Sequence, residues 1–300
     1  MIKLPSGVDI KELINDLRLF SWEAAEILLY YAQIIKFSNN KNKILKNNKS
    51  QDPVTLADLK VNELIIKRIN EKYYGVDWEI LSEENVKISA LTCNNDADWI
   101  WILDPLDGTK DFIQGTSNYA MHLALNYKKK PYLGVVLIPE KEELWISNGE
   151  KVWCEKKDGS KLSPEISKNK SLKDMVLVSS KNHRNETLRD LILKIKFKDV
   201  IVMGSIGCKI ASIVRGESDI YICLSLPGGS SPKDWDFAAP EVILKGAGGR
   251  ITNLDNEELV YGNSTFEQGG IIVATFDANL HEQICLEIKN IIQEFNLYPT

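Results

Sequence analysis

The run Trp99-Ile100-Trp101-Ile102-Leu103 ends directly on Asp104-Pro105-Leu106-Asp107-Gly108-Thr109. Five consecutive apolar residues predict a short buried strand. The strand therefore delivers two carboxylates, three residues apart, to its end. Pro105 fixes the turn, Gly108 can take an unusual backbone angle, and Thr109 offers a hydroxyl. Two carboxylates so close cannot both stay ionised comfortably unless a cation sits between them. A hard divalent ion such as Mg²⁺ takes oxygen ligands of this kind. Taken alone, a segment of this kind is usually an Asx-type turn with two solvated aspartates.

Three further segments place acids at the edge of an apolar or helix-initiating stretch. Ser82-Glu83-Glu84 follows the strand-like Glu79-Ile80-Leu81. Asp234-Trp235-Asp236 precedes a helix opened by Ala238 and Ala239, with Asp236 at the N-cap. Thr55-Leu56-Ala57-Asp58 has the spacing of a capping box. Each has an ordinary explanation as capping or surface charge. Their sequence order, Asp58, Glu83, Asp104, Asp107 and Asp236, makes the set unusual.

The rest of the chain supplies the frame. Apolar residues recur at helical spacing from Ile10 to Phe37, and a second helix is expected to start near Pro53. Residues 121–127 and 132–138 read as strands joined by the turn 128–131, and 144–146 and 152–153 continue that sheet. The polar stretch 155–174 suggests a boundary, giving an N-terminal α+β part over 1–165 and a C-terminal α/β part over 166–300. Beyond it strands (175–179, 200–203, 220–224, 270–275) alternate with helices (186–195, 206–215, 237–245, 278–295), a layered α/β pattern. The Asn- and Lys-rich segment 38–50 reads as an exposed loop, either a linker or an anion-attracting lid.

With 300 residues, 44% hydrophobic and 26% charged, the chain suits a globular body of two packed parts. A formal net charge of −5 argues against a general nucleic-acid binder. No apolar run is long enough to span a membrane. The five cysteines form no C-x-x-C pair and read as reduced thiols, which makes the cytoplasm the expected compartment.

The acid set closely resembles that of the inositol monophosphatase-like superfamily of lithium-sensitive metal phosphatases. The resemblance runs from Asp52-Pro53-Val54-Thr55 to the last helix. Asp-Pro-Leu-Asp-Gly-Thr is its specific motif, and Trp235-Asp236 with the following small residues is a second signature. The resemblance implies a layered α/β/α/β/α sandwich and a two-metal centre. Glu83, Asp104 and the Leu106 carbonyl would hold a first Mg²⁺, and Asp104, Asp107 and Asp236 a second; a third, looser ion near Glu83 stays open. Thr109 and Asp58 would orient and deprotonate the attacking water on the first metal, with Glu83 counted among the catalytic residues and Glu84 either a supporting partner or a ligand through water.

Within the superfamily, Gly108-Thr109-Lys110-Asp111-Phe112 resembles the CysQ-like 3'(2'),5'-bisphosphate nucleotidase branch. Ser179 to Arg184 and Gly204 to Lys209 resemble two further segments of that branch, although the register near Ile206 departs from it. The implied substrate is 3'-phosphoadenosine 5'-phosphate, or its sulfated form, with Gly108, Thr109, Ser179, His183, Ser205, Lys209 and Asp236 around it. An inositol monophosphatase or a sugar (fructose-1,6-bis)phosphatase on the same scaffold is the alternative, and a non-catalytic nucleotide sensor a third. A monomer or homodimer is expected, with no nucleic-acid or membrane partner.

Overall fold

The computed structural model describes residues 3–37, 45–46, 54–88, 97–165, 170–181 and 185–298. His183, Pro53, Cys93 and all of the 38–50 segment except Leu45 and Lys46 lie outside these residues. The elements run α1 (Ile10–Phe37), β1 (Leu45–Lys46), β2 (Val54–Thr55), α2 (Leu56–Lys72), β3 (Glu79–Ser82), α3 (Glu83–Ile88), β4 (Trp99–Asp107) and α4 (Thr109–Gln114). Next come β5 (Ala120–Tyr127), β6 (Lys130–Ile138), β7 (Glu143–Ser147), β8 (Val152–Lys156), β9 (Lys161–Leu162), β10 (Val176–Ser180), α5 (Glu186–Ile195) and β11 (Asp199–Met203). The chain finishes with α6 (Ile206–Val214), β12 (Ile220–Leu224), α7 (Asp234–Gly246), β13 (Arg250–Asn253), β14 (Ile271–Thr275) and α8 (His281–Phe295).

Two large sheets organise the molecule. The seven-strand sheet keeps sequence order from β3 to β9, and the five-strand sheet has the order β11-β10-β12-β14-β13. Strand β10 pairs parallel with β11 and β12, while β14 pairs antiparallel with β12 and β13. Alternation along β4 explains the layering. Trp99, Trp101 and Leu103 pack with Leu13, Leu17 and Leu28 of α1 and Val61 and Ile65 of α2. Ile100 and Ile102 point the other way, into a core with Ile210 of α6 and Phe237 of α7. A third core joins β10, β12 and β14 to Leu188 of α5 and Ile288 of α8. The result is the expected sandwich of helices, sheet, helices, sheet and helices.

The helices obey their positions in this stack. α1 buries one stripe, including Leu13, Leu17, Ala24 and Leu28 at 0% exposure, and each large buried aliphatic side chain contributes about 1.5–3 kcal/mol. α6 is buried on every side, as a helix between two sheets must be.

Several boundaries differ from the sequence reading. α2 begins at Leu56, after a two-residue strand, so Thr55 is not inside its first turn. α7 begins at Asp234, which makes Lys233 the N-cap and puts Asp236 in the first turn instead of at the cap. β13 and β9 had no clear alternation to announce them.

Candidate active site

The carboxyl ends of β3, β4, β10 and β12 open on one cleft of about 320 Å³. In α/β folds ligands bind in this position because loops and helix N-termini converge there. β4 brings its acids together through a bulge. Asp104 pairs with His122 and Asp107 with Ala120, so three steps along β4 match two along β5. In an unbroken strand, residues three apart point to opposite faces. The extra residue returns Asp107 to the side of Asp104. Asp236 joins them from the first turn of α7, and one carboxylate oxygen of each of the three lies within 4.8 Å of the others.

Each acid is held by the fold around it. The Leu106 amide donates to Asp104 Oδ1 (3.0 Å), and the Lys233 amide donates to Asp236 Oδ2 (2.6 Å). Asp107 Oδ2 accepts from Ser205 Oγ (2.6 Å) and from the Ile206 and Gly207 amides at the α6 N-terminus. A helix N-terminus is a natural partner for a carboxylate. His122 Nε2 lies 3.3 Å from the same oxygen, and its Nδ1 lies 3.3 Å from the Trp235 carbonyl. Burial lowers the His122 pKa, against the pull of Asp107.

Burial is the main force on the acids. It raises Asp58, Asp104 and Asp236 well above the usual carboxylate range, and the neighbouring carboxylates push them further. Asp58 feels Glu83 and Glu84; Asp104 feels Glu83, Asp107, Asp236 and Asp58. Glu83 is also raised, mainly by burial, although Lys87 opposes it. So many buried carboxylates in mutual repulsion suit hard divalent cations with oxygen shells, and Mg²⁺ fits this donor set. Glu83, Asp104, Asp107 and Asp236, with the Leu106 carbonyl, would hold such ions. That carbonyl accepts from Thr109 Oγ1 at 3.0 Å.

Gly108 sits at φ 86°, and a Cβ there would meet the Asn118 carbonyl at 2.8 Å. Only glycine turns the chain here so that Thr109 can open α4. Gly108 and Thr109 both line the cleft.

The structure separates the remaining sequence candidates. Lys209 is 1% exposed, with Nζ donating to the Gly204 carbonyl (2.7 Å) and 5.1 Å from the Tyr221 ring centroid, and it lines the cleft. Burial lowers its pKa. Ser205 is fully buried, donates to Asp107 and caps α6 by accepting from the Cys208 amide. Its hydroxyl is therefore not on the cleft wall. Ser179 is buried too, and Ser180, one residue on, lines the cleft instead. In a strand one step changes the face. Asp111 is buried away from the cleft, where Oδ1 accepts from Thr116 Oγ1 (2.7 Å) and Lys181 Nζ (3.3 Å). Its Oδ2 presses on Gly204, where any Cβ would come within 1.8 Å. Asp111 thus locks α4 to the loop before α6, while its neighbour Lys110 faces the cleft.

Sequence reasoning missed several residues of the wall: Lys87, Tyr221, Cys223 and Lys233. Lys87 was findable, since it stands one helical turn after Glu83 and Glu84. Its ammonium bonds both. Burial alone would lower its pKa, but the two glutamates outweigh that and hold it above its ordinary range. His122 carried a weaker signal, a polar residue inside the otherwise apolar run 120–125.

Comparisons with known proteins follow the same pattern as the geometry. Residues 9–293 match the inositol monophosphatase family. The 3'(2'),5'-bisphosphate nucleotidase CysQ of Buchnera aphidicola is 30% identical over 235 residues, covering 77% of this chain and 83% of that protein. The Nus factor SuhB of Pasteurella multocida is 26% identical over 254 residues, covering 81% and 84%. Among solved structures, the IMPase of Thermotoga maritima superposes with a TM-score of 0.70 at 21% identity, covering 95% of this chain and 99% of its own.

Proposed function

Since the chain belongs to the inositol monophosphatase family, a family of phosphatases, we propose that it removes the 3'-phosphate of 3'-phosphoadenosine 5'-phosphate, leaving AMP and inorganic phosphate. One observation carries this reading. The acid triad Asp104, Asp107 and Asp236 and the buried cation Lys209 line the same cleft. A monophosphate needs only the acid end; a second phosphate gives Lys209 a partner. The similarity to CysQ nucleotidases supports the same substrate class.

When bound, divalent ions at the acid end supply a nucleophilic water at neutral pH and neutralise charge on phosphate oxygens. The chain's own residues do the rest. Asp58, buried and raised in pKa by its surroundings, accepts the proton of the attacking water. Thr109 orients that water through its hydroxyl, itself fixed against the Leu106 carbonyl. Asp107, held on one oxygen by α6, keeps its other oxygen for the cleft. Lys209 and Lys110 supply positive charge, and Tyr221 and Trp235 supply apolar wall for a nucleoside.

The second reading is an inositol or sugar phosphatase, favoured by the family as a whole. Parallel kinetics with the bisphosphate nucleotide, inositol phosphate and fructose bisphosphate decide between them. The nucleotide is expected to have the highest kcat/KM; a higher value for either other substrate replaces the first reading with the second.

A further inference from the structure

Helix α3 begins where β3 ends, so Glu83 and Glu84 stand together in its first turn. Lys87 follows at i+4 and i+3, spacings that put its side chain on the same face as both. Its Nζ lies 2.8 Å from Glu83 Oε1 and 3.0 Å from Glu84 Oε1. The three side chains differ in access: Glu84 is 2% exposed, Glu83 20% and Lys87 29%. The lysine therefore lies over the glutamates, between the buried Glu84 and the open cleft, and it lines that cleft beside Glu83 and Asp104.

We propose that Lys87 is a built-in cation of the metal centre: its ammonium takes the place of the third, looser ion near Glu83, so the centre takes two ions and not three. This rests on the metal-dependent reading above. The ammonium is a compact point charge with three donors, and two of them are spent on these carboxylates. A buried carboxylate must be paired, and Lys87 pairs Glu84 without any ion. An additional divalent ion drawing on these two glutamates would have to displace the ammonium or stand beside it. Either course costs electrostatic free energy beside the buried Glu84. Among the described residues no lysine forms an ion pair with Asp104, Asp107 or Asp236 on the far side, which keep their charge for metal.

The test counts ions on the full chain after chelator treatment, using Mn²⁺ in equilibrium dialysis and calorimetry. Wild type is expected to bind two Mn²⁺ per chain and Lys87→Arg also two. Lys87→Met, which removes the charge and keeps the length, is expected to bind three. A count of two for Lys87→Met overturns the proposal, even if those two bind more tightly, because Lys87 then only competes with an existing ion. Three ions on the wild type overturn it as well. If the wild type binds none, the metal-dependent reading itself falls, a result distinct from the others. Should Lys87→Met lose its circular dichroism spectrum, Lys87→Gln carries the same count.

Discussion

Ser205 Oγ donates to Asp107 Oδ2 across 2.6 Å, although 98 residues separate them in sequence. The contact joins the end of a strand in one sheet to the N-cap of the helix packed between both sheets. A proposed metal ligand is thus aimed by an element far away in the chain. Ser205→Ala removes both this bond and the α6 cap. The cap alone is worth about 1 kcal/mol, and a hydrogen bond to a charged group about 1.5–3 kcal/mol. Thermal unfolding should show a moderate loss of stability, and the Mg²⁺ concentration for half-maximal activity should rise about tenfold. An unchanged Mg²⁺ requirement would show that the amides of Ile206 and Gly207 aim Asp107 unaided.

The pKa of Asp104 is raised by burial and then by Glu83, Asp107, Asp236 and Asp58. A raised carboxylate pKa makes the folded state bind more protons than the unfolded chain between the unfolded and folded values. Without metal, this group's stability cost therefore grows with pH across that window and is relieved as pH falls. Asp104→Asn removes the cost. The metal-free variant should melt at a higher temperature than metal-free wild type at pH 7, while the rise in Tm on adding Mg²⁺ shrinks. Turnover should fall by about 10³-fold or more, as several kcal/mol of charge stabilisation is lost. A variant with normal Mg²⁺ stabilisation would remove Asp104 from the ligand set.

Burial lowers the Lys209 pKa against the pull of Asp107 and Asp236, so a further anion beside it favours the charged form. Lys209→Met preserves most of the volume and removes the charge. KM for the bisphosphate nucleotide should rise about 10–100-fold, the value of a charge-assisted hydrogen bond, with a much smaller change for a monophosphate. Equal losses for both substrates would assign Lys209 to the fold alone.

His281 does not line the cleft, and it tests the fold. It is fully buried, with Nε2 2.7 Å from Thr252 Oγ1 and Nδ1 2.8 Å from Thr275 Oγ1. Burial lowers its pKa to about 4 from an ordinary value of 6.5. The neutral ring's contribution is present above pH 6.5 and lost as pH falls from there toward 4, in total about 3 kcal/mol. Urea unfolding of wild type and His281→Gln across pH 7 to 4 should show the gap between them narrowing by that amount. A gap constant with pH would mean that the ring titrates normally in the folded protein.

What was legible in the sequence was local. The periodicity of Leu13, Leu17, Ala24 and Leu28 specifies a helix and its buried face, and the run 99–103 specifies a buried strand. Acids at the edges of apolar segments marked Asp58, Glu83, Asp104, Asp107 and Asp236, because a carboxylate beside buried strands or at a helix start is costly unless something holds it. Periodicity says nothing about which element lies across a cleft, and a one-residue shift inverts a strand's faces. The tertiary structure alone decided that a bulge turns Asp107 to the side of Asp104. It alone set the α6 N-terminus on that carboxylate, moved the cleft from Ser179 to Ser180, and buried Lys209 against the Gly204 carbonyl. Each of these depends on contacts between residues far apart in the chain, whose partners are chosen by the packing of whole layers.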